Sequence, residues 1–159
     1  MEVWIWDVIR IVVVSLIGAA IMFLLQPWLY QNGIIPLNDV EPEAWVGDNY
    51  IVGAVTVFSV SIIAVVLWYV IAAKAKVQSA KETSSMAILW WIFLLMPIIS
   101  ICAAIYFFNQ SNDALLSVTG FFVFDILLIY WFSTAISSPR SLMFVVPGAF
   151  FLRNLFGLR

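Results

Sequence analysis

One carboxylate, Asp125, stands in the run TGFFVFDILLIYWF at residues 119–132. An acid at the centre of an apolar spanning helix costs about 2.5–3.5 kcal/mol on insertion scales, so its presence asks for a reason. Helical spacing places Val118, Phe121, Phe122, Leu128, Ile129 and Phe132 on its stripe, and none of these side chains can bond it. A partner must come from another helix or from water. No Lys or Arg sits at that depth, and burial without a cation disfavours the charged form. The acid is therefore expected to be protonated at neutral pH.

Pro97 lies near the middle of the preceding apolar segment. A proline there has no N–H to donate, which leaves the carbonyl of Phe93 free. Ser100 is close in expected depth. Asp125, Pro97, Phe93 and Ser100 thus form the candidate polar site, with a neutral Asp125 donating to the Phe93 carbonyl. Ser59 and Ser61 lie mid-way along the second apolar segment. Two roles suit such an acid: it joins helices by one hydrogen bond, or it carries protons or binds an ion. The first is preferred, because no second ionisable group accompanies it.

Other chemistry is sparse. The chain has no histidine and one cysteine, Cys102. That removes the commonest general base, bis-histidine haem ligation, most zinc sites, any internal disulfide and any CxxC pair. The acidic stretch LNDVEPEAWVGDN carries Asp39, Glu41, Glu43 and Asp48, but its spacing is not that of an EF-hand loop. Pro42 is expected to open a short interfacial helix there, with Trp45 and Val46 dipping into headgroups. No catalytic, cofactor or metal constellation is read, and a net charge of −2 gives no basic field for nucleic acid.

The tail SSPRSLMFVVPGAFFLRNLFGLR is broken at Pro147-Gly148 and too short to span. Beyond the break, Phe151, Leu152, Leu155, Phe156 and Leu158 share one helical arc, with Arg153, Asn154 and Gly157 opposite and Phe150 intruding on the polar side. This pattern predicts an in-plane amphipathic helix whose arginines meet anionic lipid heads, or a docking helix for a larger complex.

The elements that must position these residues follow from composition. Of the residues, 65% are hydrophobic and 10% charged, against roughly 25% charged in a soluble domain. Four apolar segments, about 8–30, 50–73, 86–108 and 115–136, each suit a spanning helix. They lack the alternation of a β-barrel. Asp48 or Asn49, Thr83 to Ser85, and Asn112 or Asp113 are the expected caps of the second, third and fourth. The predicted fold is an all-α, polytopic four-helix bundle over 1–136 with a separate amphipathic tail over 137–159. Ser15, Gly18, Ala19, Gly53 and Ala54 offer close helix approach.

With four spans, Arg10, Lys74, Lys76, Lys81, Arg140, Arg153 and Arg159 share one side, and Asp39, Glu41, Glu43, Asp48 and Asp113 the other. The positive-inside rule then makes both termini cytoplasmic. The first segment is expected to be a retained helix, since its acidic flank is unlike a signal peptide. Trp4, Trp6, Trp28, Tyr30, Trp45, Tyr50, Trp68, Tyr69, Trp90, Trp91, Tyr130 and Trp131 are expected as interface anchors. The functional expectation is a small non-enzymatic subunit, anchor or assembly factor of a bacterial inner or thylakoid-type membrane. It would contact the lipid bilayer and another membrane protein or itself. The alternative is an oligomeric proton-coupled transporter or channel that uses Asp125.

Overall fold

The computed structural model describes residues 2–38, 40–75, 79–108 and 114–157. Asp39, Lys76, Asn112, Asp113, Leu158 and Arg159, which figure in the reading above, lie outside the described residues. The described chain is helical, with no strand. Four of its helices are long and apolar enough to cross a membrane.

The first, α1, occupies residues 2–31 as an α-helix Glu2–Ala20, a π turn Ile21–Leu25 and an α-helix Gln26–Gln31. Gly33, at φ 68°, follows its end in the left-handed conformation that glycine adopts without strain. Helix α2, Pro42–Lys74, contains a π turn at Val46–Tyr50. It starts about two turns before the expected position. Pro42 takes the first helical turn, where a missing N–H costs nothing, and the helix simply continues. Trp45 and Val46 are buried in the bundle rather than in a headgroup layer.

Helix α3, Ala80–Phe108, also begins earlier than expected. Its start is fixed by a reciprocal capping box: the Glu82 N–H donates to Ser79 Oγ at 3.3 Å, and the Ser79 N–H donates to Glu82 Oε2 at 3.2 Å. Thr83, Ser84 and Ser85, the expected caps, instead donate back to carbonyls one turn earlier within the helix. Helix α4, Leu115–Ser137, carries a third π turn at Leu127–Phe132.

Helices α2 and α4 each touch the other three; α2 and α3 share the longest interface. Close approach of α1 to α4 depends on Gly18, where a Cβ would lie 2.5 Å from Ile129 Cγ1. A Cβ at Gly53 would meet Ala104 and Phe122 at 3.4 Å, close to ordinary van der Waals contact. Tyr30, Trp45, Tyr50, Trp68, Trp90 and Tyr130, expected as interface anchors, are buried core residues. Their hydroxyls and ring N–H groups explain the difference: most find partners inside the bundle, as Trp68 does with Ser138 Oγ at 2.9 Å and Tyr130 with the Trp90 carbonyl at 2.8 Å. Trp6, Trp28 and Trp91 do face outward.

The tail is packed into the same core. Ser138 leaves α4 in extended conformation, Arg140–Leu142 forms a 3-10 turn, and Leu142, Val145, Val146 and Ala149 are buried. Trp131 Nε1 donates to the Pro147 carbonyl at 2.7 Å. Gly148, at φ 78°, turns the chain beneath that ring into the short helix α5, Ala149–Leu155.

Candidate functional site

Three helices converge on Asp125. Its side chain is fully buried, and Oδ1 accepts a 2.9 Å hydrogen bond from Gln26 Nε2 of α1. Gln26 Oε1 in turn accepts from the Tyr50 hydroxyl of α2, which also lies 3.0 Å from the Met22 carbonyl of α1. Gln26 and Tyr50 are both buried. One amide therefore joins a carboxyl on α4 to a phenol on α2.

Backbone chemistry prepares this junction. The Gln26 N–H bonds the Ile21 carbonyl, five residues back, as a π turn requires. The Met22 carbonyl then has lost its α-helical donor. Its next donor in π register would be residue 27, which is Pro27 and has no N–H. The Tyr50 hydroxyl reaches the orphaned oxygen instead. All three members of the junction lie at π turns: Gln26 follows one, Tyr50 ends one, and Asp125 lies just before the third. Such turns are uncommon and often occur where function widens a helix.

An aromatic layer surrounds the junction. Tyr30 meets Trp45 edge-on at 5.1 Å and Phe121 at 5.9 Å, and Tyr50 lies 5.7 Å from Phe122. Tyr30 also donates to Ser117 Oγ at 2.8 Å. These rings exclude water from the carboxyl. Asp125 Oδ2 is buried and has no hydrogen-bond partner among the described residues. An ionised carboxylate here would hold one hydrogen bond and no cation among the described residues, so the arrangement fits the neutral acid.

Pro97, Phe93 and Ser100, expected beside Asp125, have no described hydrogen bond to it. Ser100 Oγ donates to the Pro97 carbonyl at 2.7 Å, within α3. The face of α4 that bears Asp125 turns to α1 and α2. Gln26 and Tyr50 were the partners that spacing alone did not reveal. Their signal was present: Gln26 is an amide inside an apolar run, immediately before a proline. Comparison with known proteins found no matching family model, no matching curated protein and no matching solved structure.

The tail site differs from its helical-wheel picture. Phe151, Leu155 and Phe156 are exposed, joined by Phe144 and Phe150, whose rings stack at 5.5 Å. Leu152 packs on the core. Arg153, expected on the lipid-headgroup face, is buried, with 6% of its surface exposed. Its Nη1 donates to the carbonyls of Ile136, at 3.4 Å, and Ser138. The last carbonyls of α4 lack helical donors and carry negative partial charge, so they draw the guanidinium inward. Burial pulls the Arg153 pKa down, and the nearby Asp7 carboxylate opposes that pull. Asp7 is itself paired with Arg10 at 2.7 Å.

Proposed function

We propose that this chain is a small, non-enzymatic integral membrane subunit, anchor or assembly factor that serves a larger membrane complex. The observation that carries this reading is the hydrogen-bonded junction of Asp125, Gln26 and Tyr50. Gln26 bonds both Asp125 and Tyr50 and so ties α1, α2 and α4 together. The apolar surface is turned outward, from Leu16 and Leu24 on α1 to Ile99 on α3 and Leu116 on α4. A bilayer or a partner's helices would cover it. In this reading both termini are cytoplasmic, the membrane is a bacterial inner or thylakoid-type membrane, and the exposed rim of Phe144, Phe150, Phe151, Leu155 and Phe156 lies at the lipid interface or on the partner.

Purification in mild detergent, with native mass determination, tests the subunit role. A stoichiometric larger membrane partner, lost in the Phe151→Asp variant while the bundle stays folded, is expected. A homogeneous small homo-oligomer without such a partner would reject it. One observation favours a second reading, a proton-coupled transporter or channel: Asp125 Oδ2 has no hydrogen-bond partner among the described residues, at a junction flanked by three π turns. That reading requires a pH-driven flux in reconstituted vesicles that disappears in a folded Asp125→Asn variant.

A further inference from the structure

Helices α1 and α2 touch near the acidic loop, where Phe23 meets Phe58 edge-on at 5.4 Å and Tyr50 bonds Met22. Towards the end that carries the basic residues they part, because α1 leans onto the end of α4. The parting leaves an open groove of about 540 Å³ between Val8, Ile11 and Val12 on one wall and Val66 and Val70 on the other, with Lys74 at its mouth. From Val66 to Lys74 the α2 wall runs roughly 12 Å at the helical rise.

We propose that this groove is a binding site for one anionic phospholipid, with an acyl chain along the valine walls and the headgroup phosphate at Lys74. Three observations point to that occupant. The walls are mostly apolar, with Val8, Ile11, Val12, Val66 and Val70 lining them and the Tyr69 ring among them, so water gains few partners there. An unfilled apolar groove loses its contacts, and in hydrocarbon the filler at hand is an acyl chain. Lys74 is exposed at the last turn of α2, on the end where exposed Lys81 and Arg140 also lie. A long ammonium side chain there reaches the headgroup level. Asp7, next to Val8 in the chain, is buried and paired with Arg10. The proposal rests on the chain spanning a bilayer. It does not depend on the partner-binding role, and a protein without any larger partner would bind the lipid equally well.

The test is native mass spectrometry of the full chain released from nanodiscs of equal phosphatidylglycerol and phosphatidylcholine with the same acyl chains. Wild type is expected to retain one phosphatidylglycerol in preference to phosphatidylcholine. Lys74→Gln should reduce that preference roughly fivefold, the factor that one basic residue contributes at an anionic surface, and Lys74→Arg should keep it. Val70→Trp, which fills the groove from an exposed position, should lower retention of both lipids. Near-UV circular dichroism confirms that each variant is folded. Equal retention of the two lipids by wild type, unchanged retention in Val70→Trp, or a dimer that shields the groove would each overturn the proposal.

Discussion

At the scale of single residues, the junction makes a non-additive prediction. Asp125→Leu removes one hydrogen bond within the bundle, worth about 0.6 kcal/mol on average and up to roughly 1.7. Gln26→Leu should cost more, about 1–3 kcal/mol, because Gln26 has two partners: its loss strands the buried carboxyl with neither oxygen bonded and removes an acceptor from the Tyr50 hydroxyl. The double variant Gln26→Leu/Asp125→Leu should then be more stable than Gln26→Leu alone, since both partners leave together. Asp125→Asn keeps an acceptor for Gln26 Nε2 and should stay near wild type. Steric-trap or thermal unfolding in micelles measures all four. A double variant less stable than Gln26→Leu would refute the joint as drawn. The sequence exposed Asp125 because an acid among phenylalanines is anomalous in itself. It concealed Tyr50, which reads as an interface anchor, and Gln26, whose place in an apolar run before Pro27 does not say which helix it faces. The packing of α4 on α1, close at Gly18 and Ile129, accompanies the bond of Asp125 to Gln26.

At the scale of elements, the contacts between helices can be broken one at a time. Gly18→Leu should cost about 1–3 kcal/mol by overpacking against Ile129, and Ile129→Ala should restore part of that loss. A failure of rescue would mean that α1 and α4 do not meet there. Arg153→Gln should release the tail from the end of α4, because hydrogen bonds from a charged donor are worth about 1.5–3 kcal/mol. The expected readout is faster amide exchange over residues 140–157 with the four long helices unchanged; unaltered exchange would rule out the latch. The long helices were legible because each apolar run matches the length of a spanning helix. Their starts were less so. Pro42 reads as the start of a short separate interfacial helix, because the polar residues Asp48 and Asn49 interrupt the apolar run, and the Ser79–Glu82 box lies in a polar stretch that the apolar pattern ignores. The tail was misjudged at Arg153, because a helical wheel places a charge towards solvent and takes no account of carbonyls waiting at a neighbouring helix end.

At the scale of the whole molecule, the basic residues are sorted by end. Arg10, Lys74, Lys81, Arg140 and Arg153 lie at one end of the four long helices, together with the acids Asp7 and Glu82, and Glu41, Glu43 and Asp48 lie at the other. Loops this short fall within the reach of the positive-inside rule, which counts Lys and Arg close to the helix ends and gives little weight to acids. The prediction is that the basic end faces the cytoplasm. Single cysteines at Asn38 and Lys81, in a Cys102→Ser background that removes the exposed native thiol, report each end separately. In intact cells an impermeant thiol reagent should label the Asn38 position and leave the Lys81 position untouched until the membrane is opened. Labelling at Lys81 alone would invert the molecule and place the whole set of described basic residues outside. Labelling at both positions from outside would mean that α2 and the start of α3 do not bring the chain back across the bilayer, and the four-span arrangement would fall with it.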